Sequence, residues 1–264
     1  MSRIGKRFAE LKSSGEKVLI CYITAGDPDI ETTSKIVLEL ERAGADIVEI
    51  GIPFSDPIAD GPVIQASSMR ALEKGTNIPA VLGLVRSIRK TSELPLVLMT
   101  YFNPVHHFGI SRFASEALEA GVDGVILTDL TPEEAGEWKY IADADGIDTI
   151  FLLAPTSTEP RIAMVANLGA GFIYCVSRTG VTGAKAEMAQ GVRELVAGIR
   201  EKTEKPIAVG FGISKPEHVR DVCSYADGAV VGSLLVDLIA SNGNSPAMFD
   251  ELRQVVSALK DGTR

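Results

Sequence analysis

The chain has 264 residues, of which 45% are hydrophobic, and it carries a formal net charge of −9 from 26 basic and 35 acidic side chains. The negative charge of the chain repels polyanions, which argues against nucleic acid as a partner. A phosphate on a small ligand would be held by backbone N–H groups rather than by clustered arginines. The N-terminus lacks an apolar leader, and the three cysteines are widely spaced, so we predict a cytoplasmic protein with buried thiols and no membrane association.

A short amphipathic helix opens the chain, because Ile4, Phe8 and Leu11 recur at helical spacing, and it could cover one end of a sheet. After it, short β-branched runs alternate with longer amphipathic helical stretches. This rhythm predicts eight strands, at residues 18–23, 47–50, 96–101, 124–128, 149–153, 172–176, 207–210 and 228–231.

The eight runs are continuously apolar, which is typical of parallel strands that are covered on both faces. They predict an α/β fold, a single (β/α)8 TIM barrel over residues 1–264, with an N-terminal capping helix and extra helical material after strand two at 61–74 and 79–89. The main rival, a flavodoxin-like sheet with a second domain, needs a linker that the sequence does not contain. In such barrels the active site lies at the C-terminal ends of the strands.

Glu49 is the most informative residue, since it lies within the second apolar run, between Val48 and Ile50. A carboxylate there is expensive to remove from water unless it has a partner or a task. A structural ion pair in the barrel mouth is one interpretation, but the run itself holds no lysine or arginine. We favour the other interpretation, which is proton transfer by a carboxyl group of raised pKa.

The proline-rich loop that follows, residues 53–62, carries two more carboxylates, Asp56 and Asp60. Asp60 could cap the next helix, because Asp is a favoured N-cap residue. Paired with Glu49, it could instead supply a second carboxylate in a more solvated environment, as acid/base chemistry at neutral pH requires. The residues alone leave both interpretations open.

Glycine-bearing turns follow the seventh and eighth strands, at residues 210–214 and 232–233, and each opens a helix. Free N–H groups at two such helix starts form the usual phosphate site of this fold. Ser214 and Glu217 have capping-box spacing for the first of these helices. Residues 177–183, after the sixth strand, suit a mobile lid, although an ordinary surface loop has the same composition.

Two absences in the sequence narrow the reaction type. No lysine lies in the eight runs, so a Schiff-base aldolase would lack its nucleophile. His106 and His107 are adjacent and His218 stands near a helix start, so no spaced set of histidines and carboxylates predicts a catalytic metal. The remaining possibility is acid/base catalysis by carboxylates on a phosphorylated compound.

The segment 50–65, IGIPFSDPIADGPVIQ, closely resembles the signature of the tryptophan synthase α-subunit family, and this motif is long and specific. The resemblance covers nearly the whole chain, through TAGDP at 24–28, YFNP at 101–104, SRTGVTG at 177–183, GFGIS at 210–214 and GS at 232–233. It departs at Thr131, where the family often has proline, a position without a catalytic role.

The resemblance implies a lyase of L-tryptophan biosynthesis that cleaves indole-3-glycerol phosphate, by a retro-aldol reaction, to indole and glyceraldehyde 3-phosphate. Glu49 would shuttle the proton, and Asp60 would accept a hydrogen bond from the indole N–H and stabilise the positive charge that develops there. The residues implied for the phosphate are Gly183, Phe211, Gly212, Gly232 and Ser233. Those implied for the indole pocket are Tyr101, Leu127 and Tyr174, and those of the lid are Arg178, Thr179, Gly180 and Thr182.

The resemblance also implies a partner, a pyridoxal-phosphate β-subunit in an α2β2 heterotetramer, which would dock near Pro53 and Asp56. The pyridoxal phosphate would belong to the partner, so this chain would hold no cofactor and no metal. Three alternatives stay open: a stand-alone indole-3-glycerol phosphate lyase, a phosphate-sugar isomerase on a related barrel, and a catalytically silent regulatory subunit. An isomerase would not need both Glu49 and Asp60 in this arrangement, and a silent subunit would not need to retain them.

Overall fold

The computed structural model describes residues 2–176, 185–210 and 212–264. The strands in these ranges are β1 (Val18–Thr24), β2 (Ile47–Gly51), β3 (Leu96–Thr100), β4 (Gly124–Leu127), β5 (Asp148–Thr149), β6 (Leu152–Leu153), β7 (Ile173–Val176), β8 (Ile207–Gly210) and β9 (Gly228–Val231). They form one sheet in the order β5-β4-β3-β2-β1-β9-β8-β7-β6. Every neighbouring pair is parallel, as the continuously apolar runs predict.

The helices in the described ranges are α1 (Arg3–Ser14), α2 (Ile30–Arg42), α3 (Pro62–Glu73), α4 (Ile78–Ile88), α5 (Phe102–Phe108), α6 (Ile110–Ala120), α7 (Gly136–Ala144), α8 (Glu159–Leu168), α9 (Lys185–Arg200), α10 (Pro216–Cys223), α11 (Ser233–Asn242) and α12 (Pro246–Asp261). Helices α3 and α4 are the extra helical material predicted after the second strand. Among the residues described, none of the helices is long and apolar enough to span a bilayer.

The sheet closes on itself at the segment 148–153, which contains β5 and β6. Strand β5 pairs with β4, where Thr149 lies opposite Val125, and β6 pairs with β7, where Leu152 lies opposite Tyr174. The fifth predicted strand is therefore two short strands, because the first half of the segment bonds to one neighbour and the second half to the other. One continuous segment thus joins both ends of the sheet, which gives the predicted (β/α)8 barrel.

Side chains alternate between the barrel interior and the layer beneath the helices. On β2, Ile47 faces the interior whereas Val48 packs under the helices. The interior cluster comprises Val18, Ile20, Ile47, Val97, Ile126, Ile150, Phe172, Tyr174, Ala208 and Val230, together with Ile4, Phe8 and Leu11 of α1. Helix α1 lies at the N-terminal ends of the strands, since Ile4 contacts the start of β4 at Gly124. The first helix therefore covers one end of the sheet, as predicted.

Three aspartates, Asp46, Asp123 and Asp227, precede strands β2, β4 and β9 and join neighbouring strands at this same end. Each carboxylate accepts a hydrogen bond from a backbone N–H of the adjacent strand, and the donors are Leu19, Leu96 and Ile207. Asp46 is fully buried and also pairs with Arg7 at 2.7 Å and with Lys260 at 2.8 Å. These contacts and helix α1 stabilise the N-terminal end of the barrel, and the C-terminal rim is the end at which a ligand would bind.

Candidate active site

Glu49 projects from β2 into the barrel interior, in register with Tyr22 on β1 and Val97 on β3. Its side chain is fully buried, and neither carboxyl oxygen has a hydrogen-bond partner among the residues described. Burial disfavours the charged form and raises the pKa of Glu49 to about 8. The carboxyl group therefore holds its proton near neutral pH, which suits a general acid.

Asp60 lies in the loop between β2 and α3, where it is partly buried. The hydroxyl of Tyr101 donates a hydrogen bond to its Oδ2 at 3.0 Å, and the same hydroxyl accepts one from the Ala59 N–H at 2.9 Å. The N-cap of α3 is Gly61, without a side-chain cap, so Asp60 does not serve as the cap. Burial raises the pKa of Asp60, and the Tyr101 hydrogen bond works in the opposite direction.

A small cavity of about 10 Å³ lies beside Asp60, and its wall includes Tyr22, Met99, Tyr101 and Thr128. The cavity has room for about one water molecule. Its wall combines a carboxylate, hydroxyl groups and apolar surface from the ends of strands β1, β3 and β4. This wall therefore offers both polar and apolar contacts to a group at the rim.

The three side chains expected around an indole lie in different surroundings. Tyr101 lines the cavity, and Tyr174 belongs to the interior cluster. Leu127 belongs to the larger core cluster, and its place in an indole pocket stays a prediction. Its neighbour Ile126 faces the interior, because side chains alternate along a strand.

Two glycines expected to bind phosphate follow the ends of the neighbouring strands β8 and β9. Gly212 and Gly232 each stand two residues beyond the register pair Gly210–Val230. Gly212 has a positive φ of 48°, which favours glycine, and Ser233 begins α11 with Gly232 as its N-cap. The other residues assigned to the phosphate and the lid lie outside the described ranges, namely Gly183, Phe211, Arg178, Thr179, Gly180 and Thr182.

The capping box expected at α10 is absent from the described structure. The N-cap residue is Lys215, one position after Ser214, and it makes no side-chain cap hydrogen bond. The backbone N–H of Ser214 donates to Nδ1 of His218 at 3.3 Å instead. The spacing of Ser214 and Glu217 was therefore misleading, because the helix starts one residue later than the motif requires.

The loop expected to dock a partner combines buried and exposed positions. Pro53 is buried and Asp56 is exposed, where Asp56 accepts a hydrogen bond from the Ser55 hydroxyl at 2.5 Å. Ile58 is 85% exposed, although it is a large apolar side chain. An exposed apolar residue on a proline-rich loop is a common component of a contact surface.

The sequence analysis missed a chain of three buried hydroxyl groups next to the carboxylates. Tyr22 and Thr24 lie on β1 and Ser67 lies on α3. Tyr22 sits in an apolar run and therefore looked like core packing, whereas the proximity of Ser67 depends on how α3 folds back. The alternation along β1 was the one available signal, since it puts Tyr22 on the same face as Ile20.

The described residues contain no group of three or more His, Cys, Asp or Glu side chains that could hold a metal ion.

The profile of the tryptophan synthase alpha chain family matches residues 8–264. Over 268 aligned residues the chain is 55% identical to the tryptophan synthase alpha chain of Geotalea uraniireducens (strain Rf4), an alignment that covers 100% of this chain and 98% of that protein. The chain belongs to the tryptophan synthase alpha chain family. Members of the tryptophan synthase alpha chain family are lyases of tryptophan biosynthesis and catalyse the α reaction.

Solved structures agree with this assignment. Tryptophan synthase subunit alpha from Legionella pneumophila str. Paris matches with a TM-score of 0.92 at 37% identity, over 100% of this chain and 98% of that one. A chain of tryptophan synthase from M. tuberculosis, in its open form with BRD0059 bound, matches with a TM-score of 0.90 at 32% identity, over 100% and 99%. The barrel architecture of the tryptophan synthase alpha chain family is therefore confirmed for this protein.

Proposed function

We propose that residues 1–264 form one catalytic domain that cleaves indole-3-glycerol phosphate to indole and glyceraldehyde 3-phosphate by a retro-aldol reaction. The observation that carries this proposal is the pair of carboxyl groups in unlike environments at one rim. Glu49 is fully buried and holds its proton near neutral pH, whereas Asp60 is partly buried and accepts a hydrogen bond from Tyr101. Unlike environments allow one group to donate a proton while the other stabilises charge.

Glu49 serves as the proton shuttle. It begins protonated and delivers its proton to the ring carbon of the indole that bears the glyceryl group. The bond between that carbon and the first glyceryl carbon then breaks, and its electron pair returns to the indole ring. The Glu49 carboxylate takes the proton of the hydroxyl on the first glyceryl carbon, which becomes the aldehyde. The proton count balances, so the cycle returns Glu49 to its starting state.

Asp60 stabilises the protonated intermediate by accepting a hydrogen bond from the indole N–H. Protonation of the ring carbon places positive charge on the ring nitrogen, and a carboxylate there opposes that charge. Tyr101 supports this role, because its hydrogen bond favours the ionised form of Asp60. A charge-stabilising group of this kind contributes about a hundredfold or more to turnover.

The phosphate binds at the backbone N–H groups near Gly212, Gly232 and Ser233. The start of α11 at Ser233 supports this assignment, because free N–H groups and the helix dipole attract an anion. This chain uses no organic cofactor, and pyridoxal phosphate belongs to the β-subunit. The cytoplasmic location stays a prediction of the sequence.

The chain works with a β-subunit in an α2β2 heterotetramer. The loop with Pro53, Asp56 and the exposed Ile58 supports a docking surface next to Asp60. Contact with this loop would reach the site directly, since Asp60 lies four residues after Asp56. A stand-alone lyase would instead work at full rate without the partner.

Indole release from indole-3-glycerol phosphate tests the proposal, with purified chain alone and with an added tryptophan synthase β-subunit. We expect slow release alone, strong acceleration by the β-subunit, and loss of turnover by about a hundredfold or more in Glu49→Gln and in Asp60→Asn. The matched control is Glu201→Gln, at an exposed position after α9, which should keep wild-type rates.

Each other outcome has a distinct meaning. Full-rate cleavage without the β-subunit would favour the stand-alone lyase. Normal turnover in Glu49→Gln would refute the assignment of Glu49 as the proton shuttle. No indole release from wild type under either condition would refute the proposed reaction.

A further inference from the structure

Tyr22 bridges the two ends of the site. Tyr22, on β1, is in register with Glu49 of β2. On its other side, the Cβ of Tyr22 lies 3.4 Å from the position that a Cβ atom would take if Gly232 had a side chain. The hydroxyl oxygen of Tyr22 lies 2.1 Å from the position that a Cβ atom would take at Gly51. The ring therefore extends from the phosphate-binding glycine toward the end of β2, and it is buried except for 7% of its surface.

The space for the Tyr22 hydroxyl depends on glycine at position 51. A real Cβ atom at 2.1 Å from an oxygen is impossible, so any other residue there would displace the tyrosine. Tyr22 also lines the cavity beside Asp60. The side chain is thus fixed between its register partner Glu49 and the cavity that Asp60 lines.

The hydrogen-bond chain behind Tyr22 fixes which way its proton points. Ser67 donates to the Ile64 carbonyl at 2.8 Å, so in the 2.6 Å pair between Thr24 and Ser67 the donor is Thr24. Since the Thr24 proton is then used, the 3.4 Å pair between Tyr22 and Thr24 has Tyr22 as its donor. The Tyr22 oxygen is left with lone pairs only, as an acceptor for a further donor.

We propose that Tyr22 is a substrate-binding residue whose oxygen accepts a hydrogen bond from a hydroxyl of the glyceryl chain. That chain joins the phosphate to the indole, and Tyr22 spans the corresponding distance between Gly232 and Asp60. The hydrogen bond gives the site selectivity for a phosphate ester that carries hydroxyl groups. The inference rests on the proposed function, because it takes the glyceryl phosphate as the ligand.

Two inhibitors of indole release separate the hydroxyl contact from the phosphate contact. Glycerol 3-phosphate has the phosphate and both hydroxyls, whereas propyl phosphate has the same chain without them. In Tyr22→Phe, which removes only the oxygen, we expect the Ki of glycerol 3-phosphate and the KM of indole-3-glycerol phosphate to rise about three- to tenfold. The Ki of propyl phosphate should stay unchanged, which a general distortion of the site would not allow.

A second pair of variants tests the chain behind Tyr22. Thr24→Ser keeps the hydroxyl and should keep the preference for glycerol 3-phosphate over propyl phosphate. Thr24→Val has the same shape as threonine but cannot accept the Tyr22 proton, so the preference should fall several-fold. If Tyr22→Phe fails to fold, the comparison of Thr24→Ser with Thr24→Val still tests the role of the Tyr22 hydroxyl.

The outcomes separate this inference from the proposed function. If wild type cleaves indole-3-glycerol phosphate but Tyr22→Phe keeps the full preference for glycerol 3-phosphate, the assignment of Tyr22 is overturned and the function stands. If wild type neither cleaves the substrate nor responds to glycerol 3-phosphate, the proposed function fails and the assignment of Tyr22 fails with it.

Discussion

Replacing Glu49 by Gln tests the buried carboxyl group through stability as well as through turnover. The pKa of Glu49 is about 8 in the folded chain against 4.5 for an ordinary glutamate. Between pH 4.5 and about 8 the unfolded chain releases the Glu49 proton, whereas the folded chain keeps it. Glu49 therefore leaves the free energy of unfolding unchanged below pH 4.5 and lowers it progressively as the pH rises toward 8. At about 1.4 kcal/mol per pH unit, the two units from about pH 5.5 to 7.5 lower the stability of wild type by about 3 kcal/mol.

Glutamine has nearly the same shape and does not ionise, so Glu49→Gln avoids this loss. At about 2–4 °C per kcal/mol for a chain of this size, we expect its advantage in Tm over wild type to widen by about 6–12 °C from pH 5.5 to 7.5. Scanning calorimetry at several pH values measures the difference, and the exposed Glu201→Gln should show none. A difference that stays constant with pH would refute the raised pKa, and with it the physical basis for Glu49 as a proton donor.

Three further changes test other parts of the molecule. Asp46→Asn should lower the free energy of unfolding in urea by about 3–5 kcal/mol, because Lys260 loses a buried charged partner. A loss below about 1 kcal/mol would show that this ion pair is dispensable. Tyr101→Phe should raise the pKa of Asp60, so the acid limb of the kcat/KM profile should move to higher pH; an unmoved limb would show that Asp60 does not control it. Gly232→Val should raise the KM of the phosphorylated substrate by about tenfold or more, and an unchanged KM would put the phosphate elsewhere.

The positions of the strands could be predicted because each is a short, continuous apolar run with a turn on either side. Glu49 could be singled out for the same reason, since a carboxylate in such a run conflicts with its surroundings. Asp60 remained ambiguous in the sequence, because an N-cap and a catalytic carboxylate use the same residue type. The structure excludes the first, because Gly61 is the N-cap of α3, and the catalytic role of Asp60 stays a proposal.

The direction of individual side chains could not be predicted in the same way. A run that is apolar at every position does not show which residues face the interior, as Ile126 does on β4. The division of segment 148–153 into two short strands could not be predicted either, because the composition of a strand does not show which neighbour it pairs with. Tyr22 was missed because its hydrogen-bond chain runs through Thr24 to Ser67, and the position of Ser67 depends on the path of α3.

The seam at segment 148–153 has a consequence for motion in the native state. Strands β1 and β2 are joined by five register pairs, whereas β5 and β6 each have two with their neighbours. Sub-global opening starts where the fewest hydrogen bonds must break, so amide exchange should be faster at the seam than in β1. The seam lies across the barrel from β1 and β2, which hold Tyr22 and Glu49, whereas Tyr174 is paired directly with Leu152 of the seam. Opening at the seam would therefore loosen the Tyr174 side of the interior before it reached Glu49.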